Sequence, residues 1–216
     1  MRAITEYRHV LWDFNGTVLN DLELCLQIQR DMLSSRGLPP ISRERYLDTF
    51  TFPIKNWYAD MGYDVSDYDN TAQEWNVAYN SHAPACGLNN GFLRLSDTLR
   101  RHGIGQSILS ACQQELLNSL LDNLDIADRF EHIYGQNNVL GESKINLGAA
   151  LVKRLGTASG RLLMIGDTLH DLSCAHAIGC DCALVSVGHQ SHERLASRWP
   201  DVFPSFSDLL RTLLPR

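Results

Sequence analysis

Several features that would indicate common classes of protein are missing from this sequence. No run or stripe of basic residues occurs, and the formal net charge is −6, so we expect no nucleic-acid partner. No apolar run approaches the roughly 18 residues that a membrane-spanning helix needs. Polar residues at Thr5, Glu6, Arg8 and His9 interrupt the region that a signal peptide would fill with a continuous apolar segment. We therefore expect a cytoplasmic protein that does not bind membranes.

The sequence also lacks the spacings of a structural metal site. Its six cysteines are scattered without a C-x-x-C pair, and its eight histidines show no ligand spacing on one helix face. In a cytoplasmic chain, cysteines are usually reduced and buried. We therefore expect free thiols and no structural zinc.

Strand-like and helix-like segments alternate through most of the chain. The 216 residues are 44% hydrophobic, which suffices for one large core with an insert or for two small domains. Short apolar segments start at residue 9 and recur at 104–109, 132–135, 162–165 and 182–187. Because helical patterns separate them, they predict a parallel sheet covered on both faces. Residues 20–83 carry helical patterns alone, so we expect an α/β fold with a helical insert above the carboxyl ends of the strands.

The first apolar segment leads directly into a group of polar residues. It is followed by Asp13, Asn15, Gly16 and Thr17. Alternation along a strand places Asp13 and Asn15 on the same side, and Gly16 permits a tight turn. We predict that Asp13 is a nucleophile at the end of a buried strand; the alternative is a simple Asn-Gly turn.

Polar residues follow other predicted elements as well. Ser110 and Ala111 come after one strand and Asp167 after another, with Asp171 four residues further on. Lys144 opens a helix within the sequence GESK. Taken singly, these are equally consistent with a helix cap, a turn and a solvated lysine. Because carboxyl ends of parallel strands share one edge of the sheet, we expect the groups to converge there.

This set of groups suits phosphoryl transfer. A divalent cation held by Asp13, Asp167 and a backbone carbonyl would neutralise the approach of a phosphate to a carboxylate, and such hard oxygen ligands favour Mg²⁺. Lys144 would supply a second positive charge. Ser110, at the start of a helix, would bind a phosphoryl oxygen together with the backbone N–H groups that follow it. An aspartate can then form an aspartyl-phosphate.

In this order, the motifs resemble those of a known superfamily. The stretch from Asp13 to Val18, Ser110, Lys144 and the stretch from Gly166 to Asp171 resemble motifs I to IV of the haloacid dehalogenase superfamily, and the resemblance extends from residue 9 to about 190. The helical insert, including the sequence TFPI at residues 51–54, is similar to the C1-type cap of phosphoglycolate phosphatase-like members.

The resemblance implies a Rossmann-like, three-layer parallel-sheet core formed by residues 1–19 and 84–216, with an all-helical cap at 20–83. It implies a Mg²⁺-dependent phosphatase of a small phosphorylated metabolite, acting through an aspartyl-phosphate. The residues it assigns are catalytic Asp13, Asn15 and Lys144; phosphate-binding Asn15, Gly16, Ser110, Ala111 and Lys144; and metal-binding Asp13, Asn15 (through its backbone carbonyl), Asp167 and Asp171.

Asn15 departs from the pattern of this superfamily. Phosphatases of the family usually carry aspartate here as the general acid and base, and an amide cannot give or take a proton at ordinary pH. The chain either uses a substrate with a good leaving group such as an acyl phosphate, recruits another base, or is a weak or inactive binding or regulatory protein. An engineered or deamidated residue is a further alternative.

Other activities of the superfamily fit less well. A dehalogenase typically has an aromatic residue at position 15, and a phosphomutase would need two proton transfers there. A phosphonatase would need a Schiff-base lysine from the cap, where Lys55 has no surrounding motif. Arg43, Arg45, Lys55 and Trp57 are candidate substrate contacts by their chemistry alone.

Overall fold

The computed structural model describes residues 1–140 and 143–214, which form one parallel sheet and its helices. The strand order is β3-β2-β1-β4-β5-β6, and every neighbouring pair is parallel. The strands are β1 His9–Trp12, β2 Gly105–Gln113, β3 His132–Gln136, β4 Leu162–Gly166, β5 Asp181–Val185 and β6 Val202–Phe203. The carboxyl end of β1 therefore lies between those of β2 and β4.

Helices connect successive strands, and one further helix follows the last strand. Those between β1 and β2 are α1 Leu22–Ser35, α2 Arg43–Thr49, α3 Ile54–Asp60, α4 Tyr68–His82 and α5 Phe92–Arg101. The others are α6 Gln114–Asn123, α7 Ile145–Leu155, α8 Leu169–Ile178, α9 His192–Ala196 and α10 Phe206–Leu213. The expected α/β architecture with an inserted helical segment is confirmed. We call residues 22–82 the helical insert; the domain boundaries given above, 20–83 for the cap, stay a prediction.

Apolar residues on both faces of the sheet explain why a layer of helices packs on each face. Within β1, Val10 and Trp12 belong to one buried cluster and Leu11 to another. In β4, Leu163 and Ile165 belong to the first cluster, and their neighbours in sequence belong to the second. Since successive side chains of a strand point to opposite faces, both faces are covered by helices.

Strand β2 is longer than expected. The sequence predicted its end at Leu109, but pairing with β3 resumes at Gln113 after a shift in register. Within this irregular stretch the Ser110 hydroxyl accepts a hydrogen bond from the Cys112 N–H at 3.0 Å. Helix α6 begins after Gln113, whose side chain accepts from the Leu116 N–H at 2.9 Å. Ser110 therefore lies at a bulge rather than at a helix start, and that prediction was wrong.

Two short elements were missed. Strand β6 has two residues and helix α9 has five, and neither is long enough to show a hydrophobic period. All six cysteines are free, as predicted. Gly141 and Glu142, which precede Lys144 in the predicted motif, lie outside the described residues. Within the described ranges, no helix has both the length and the apolar character needed to span a membrane.

The core beside β1 offers a test of packing. Phe92 is fully buried, with its ring centroid 5.1 Å from that of Trp12. We expect Phe92→Ala to lower the free energy of unfolding by about 3–5 kcal/mol, because it removes buried contacts and leaves a cavity. Leu93→Ala is the matched control, since Leu93 is 41% exposed on the same helix. Urea unfolding measures the free energy of unfolding of both variants. Equal decreases in the two would contradict the buried packing of Phe92.

Candidate active site

Asp13 lies at the centre of the sheet edge. Its N–H donates to the Ile165 carbonyl at 2.9 Å, which continues the pairing of β1 with β4 beyond Trp12. The residue is 8% exposed, and it lines the cavity described below. The sequence placed this residue correctly at the end of a buried strand.

Two further carboxylates lie beside it. Oxygen atoms of Asp13, Asp167 and Asp171 are within 4.8 Å of one another, and all three residues are buried. Asp171 Oδ2 accepts from the Thr168 N–H at 2.9 Å and from the Thr168 hydroxyl at 2.7 Å. This capping box holds Asp171 at the start of α8. Asp167 accepts from the Thr17 hydroxyl at 3.0 Å.

Lys144 is buried among these carboxylates rather than solvated. Its side chain is 1% exposed, and its ammonium contacts Asp13 Oδ1 and lies 2.7 Å from Asp171 Oδ1. It also donates to the Leu109 carbonyl at 3.0 Å. Although burial lowers the pKa of Lys144, the charges of Asp13 and Asp171 outweigh it and raise that pKa above its usual range. The ammonium therefore stays charged.

Negative charge exceeds positive charge in this cluster. Burial raises the pKa of Asp13 to about 8 against the opposing effect of Lys144. Burial likewise raises the pKa of Asp167 to about 6. Asp171 Oδ1 is buried and lies 2.7 Å from the Lys144 ammonium. Three clustered carboxylates with hard oxygen donors fit a divalent cation such as Mg²⁺, which would offset the excess charge.

Tight packing surrounds the cluster. Gly16 has a φ of +76°, and a Cβ atom there would collide with the Asp167 carboxylate. A Cβ at Gly188 would meet the same carboxylate. The Asp167 carboxylate also accepts from the His189 N–H at 2.6 Å. Glycine is therefore required at position 16 both for its backbone conformation and for this close approach.

The Asn15 amide is held by a carboxylate. Its Nδ2 donates to Asp21 Oδ2 at 2.9 Å and to the Tyr79 hydroxyl at 2.6 Å. The Gly16 N–H donates to the other oxygen of Asp21 at 2.8 Å. The Ser110 hydroxyl lies 3.5 Å from Asn15 Oδ1. These contacts fix the orientation of the amide, with Nδ2 towards Asp21 and Oδ1 towards Ser110.

Asp21 is a site residue that sequence reasoning did not single out. It directly precedes α1 but makes no side-chain capping bond. Its buried carboxylate instead accepts from the Tyr79 hydroxyl at 2.6 Å and lies 3.3 Å from His189 Nε2. Burial raises its pKa, but His189 and the other donors outweigh that effect and lower it overall. An acidic residue near an amide at the usual acid position was the signal that could have shown this pair.

The remaining predicted phosphate-binding residues lie on the same edge. Ser110 is buried and Ala111 is half-buried, and both line the cavity with Asp13, Asn15 and Lys144. The structure thus brings together the predicted residues of β1, the end of β2, the start of α7 and the start of α8.

A cavity of about 160 Å³ opens above this edge. The helical insert contributes mostly aromatic and apolar side chains to it: Cys25, Gln29, Tyr46, Phe50, Phe52, Ile54, Trp57, Tyr58, Tyr68, Ala72, Trp75, Asn76 and Tyr79. Of the four substrate contacts suggested by the sequence, Trp57 lines the cavity. Arg43 pairs with Glu23, Lys55 lies 5.7 Å from the Tyr68 ring centroid, and neither they nor Arg45 line the cavity.

Known proteins resemble this chain in sequence and in fold. The family model described as haloacid dehalogenase-like hydrolase matches residues 10–185. A phosphoglycolate phosphatase of Photorhabdus laumondii is 31% identical over 119 residues, covering 53% of this chain and 50% of the relative. The matched part thus spans about half the length of that relative.

Two longer matches cover nearly the whole chain. A phosphoglycolate phosphatase of Pseudomonas putida is 24% identical over 227 residues, covering 96% of this chain and 79% of the relative. A haloacid dehalogenase-like family hydrolase of Streptococcus pneumoniae has a solved structure with a TM-score of 0.82 at 17% identity, covering 96% of this chain and 99% of the other. At that identity the likeness concerns the fold.

The pairing of Asn15 with Asp21 predicts a coupled effect on stability. Asn15→Asp replaces a donor by a second carboxylate facing Asp21, and we expect it to lower the free energy of unfolding by about 1–3 kcal/mol. Asp21→Asn in the same chain restores a donor and acceptor pair, so the double variant should recover most of that loss. Urea unfolding of both single variants and the double variant in EDTA gives the coupling energy. Additive losses would contradict the pairing.

Proposed function

Because the chain belongs to the haloacid dehalogenase-like hydrolase family, we propose that it is a Mg²⁺-dependent phosphatase of a small phosphorylated metabolite. The observation that carries the proposal is the cluster of Asp13, Asp167 and Asp171 around the Lys144 ammonium. It lies at the carboxyl end of the sheet, where α/β folds place their chemistry. Phosphoglycolate phosphatases among the relatives support the reaction class.

The metal site is assigned to Asp13, Asp167 and Asp171, with the backbone carbonyl of Asn15. When bound, Mg²⁺ supplies the positive charge that lets a phosphate approach a carboxylate. The buried position of the three carboxylates and their mutual distances support this assignment. Lys144 neutralises part of the negative charge of the same carboxylates.

In the proposed reaction, a carboxylate oxygen of Asp13 attacks phosphorus. The bond from phosphorus to the leaving oxygen breaks, and an aspartyl-phosphate forms. Lys144 holds Asp13 in place, while the Ser110 hydroxyl and the backbone around Ala111 and Gly16 bind phosphoryl oxygens. A water molecule then attacks phosphorus and releases Asp13. Support for these roles comes from the cavity, which all five residues except Gly16 line.

Asn15 limits the rate of the proposed reaction for esters whose leaving oxygen must be protonated. Its amide cannot protonate the leaving oxygen, and the nearest carboxylate, Asp21, is already bound to Asn15, Gly16, Tyr79 and His189. General acid–base help is typically worth about 10²–10⁴-fold. We therefore propose slow turnover of esters whose leaving group needs a proton.

A second candidate function is a binding or regulatory protein that keeps the fold and the metal site. The observation that favours it is the same hydrogen-bonded Asn15, which removes acid–base catalysis while leaving the carboxylate cluster intact. It predicts binding of Mg²⁺ and phosphate analogues without release of phosphate.

Phosphate release from a panel of monoesters and acyl phosphates tests the proposal. We expect release that depends on Mg²⁺, stops in EDTA and falls to background in Asp13→Asn, because that variant removes the nucleophile. Asp122→Asn is the matched control, since Asp122 is exposed on α6 and should keep full activity. No release from any substrate, with Mg²⁺ and phosphate binding detected by calorimetry, would replace the phosphatase by the second candidate.

Thermal unfolding tests the metal site without activity. At about 100 times its Kd, Mg²⁺ should stabilise the chain by about 2.7 kcal/mol, a rise of roughly 5–10 °C in Tm for a chain of this size. Asp167→Asn should lose most of that rise because it removes one ligand charge, whereas Asp122→Asn should keep it. An equal rise in both variants would place Mg²⁺ elsewhere.

A further inference from the structure

The wall of the cavity opposite the phosphate site is aromatic and uncharged. Among the described residues of the helical insert, no Asp, Glu, Lys or Arg lines the cavity. Phe50, Phe52 and Trp75 are half-buried and line it together with the buried Trp57 and Tyr58. Such a wall binds an apolar or aromatic group rather than a charged one.

Two of these rings lie close to the predicted catalytic residues. Phe52 stacks on His170, with ring centroids 4.5 Å apart, next to Asp171 in the chain. Trp75 stacks on Tyr79 at 4.6 Å, and the Tyr79 hydroxyl contacts Asn15. One ring therefore separates Phe52 from the phosphate site, and one ring separates Trp75 from it. We expect both side chains to contact the group that is attached to the phosphate.

The basic side chains of the cavity are already engaged. Within the described part of the chain, they are Lys144, His170 and His189. Lys144 contacts Asp13 and Asp171, His189 pairs with Asp21, and His170 is covered by Phe52. A second anionic group on the substrate, such as the carboxylate of phosphoglycolate, would find no free cationic partner among the described lining residues, and burying an unpaired charge is costly.

Asn15 restricts which leaving groups can depart, independently of the aromatic wall. Since the amide cannot donate a proton to the departing oxygen as an acid does, the group must leave as an anion. A phenoxide leaves without prior protonation more readily than an alkoxide, because the model phenol of tyrosine has a pKa of about 10, whereas an alkoxide is far more basic. The aromatic wall and the absence of an acid at position 15 therefore both favour a substrate whose leaving group is a phenoxide.

We infer that the substrate is an aryl phosphate, a monoester whose ester oxygen is attached to an uncharged aromatic ring; this inference rests on the proposed phosphatase function. Asp13 forms the new bond to phosphorus, and the bond from phosphorus to the aryl oxygen breaks. The electron pair leaves with that oxygen as phenoxide, which takes its proton from solvent. Water then attacks phosphorus, the bond to Asp13 breaks, and the protons of the water pass to phosphate and solvent.

Four probes separate the ring from the leaving group. Phenyl phosphate has an aromatic ring and a good leaving group, and benzyl phosphate has the ring but an alkoxide leaving group. Acetyl phosphate has a good leaving group without a ring, and phosphoglycolate has neither. Measuring kcat and KM for all four with Mg²⁺, and Ki for benzyl phosphate as a competitor, tests both parts of the inference.

We expect phenyl phosphate to have the highest kcat/KM. Its KM should be at least about tenfold below that of acetyl phosphate, because the ring is buried against aromatic residues. Benzyl phosphate should bind with a Ki near that KM but turn over at least about 10²-fold more slowly, because no acid protonates its leaving oxygen. A higher kcat/KM for phosphoglycolate or acetyl phosphate would overturn the inference and leave the phosphatase standing. No turnover of any probe would overturn both.

Variants on one helix test the ring contact. Trp75→Ala should raise the KM for phenyl phosphate about tenfold and leave that for acetyl phosphate unchanged, and Trp75→Phe should recover most of the effect. Val77→Ala is the matched control, since Val77 is 61% exposed on the same helix. An equal rise of KM for both substrates, in a variant whose thermal unfolding is unchanged, would contradict a ring-binding role.

Discussion

A buried ammonium holds the candidate site together. Lys144, at the start of α7, contacts Asp13 from β1 and Asp171 from α8, so one charge joins three separate elements. Removing one partner of such a buried pair is costly, about 3–5 kcal/mol in general, because the other charge is left uncompensated. Lys144 nevertheless cannot balance all the carboxylates that the fold places there, which is the physical reason to expect a divalent cation beside it.

A second constraint acts through Asn15 and Asp21. The amide donates where a carboxylate accepts, and Gly16 donates to the same carboxylate. A carboxylate at position 15 would face another carboxylate, so the usual acid cannot be restored by one substitution without a like-charge contact. Asn15 is therefore matched to its surroundings, which argues against a chance replacement and favours chemistry that needs no acid.

Local patterns predicted the elements that are long or strongly apolar. Strand β4, predicted at 162–165, runs from Leu162 to Gly166, and the convergence of strand ends correctly grouped Asp13, Ser110, Lys144 and Asp167. The bulge in β2 was missed because a local shift of strand pairing between Leu109 and Gln113 leaves no mark on the hydrophobic period. The role of Asp21 was missed because its partners Tyr79 and His189 are distant in sequence, and only folding brings them together.

The division of labour between sheet and insert explains why the family does not by itself identify the substrate. In the proposed function, the sheet edge supplies the groups that act on phosphate, whereas the helical insert supplies the surface that meets the rest of the substrate. That surface is aromatic, and the basic groups near it are paired, so a second anion on the substrate would find no free cation among the described residues there. In the proposed reaction, Asn15, which belongs to the sheet edge, disfavours a basic leaving group for a separate reason. The two constraints arise in different segments of the chain, and both favour an aryl phosphate.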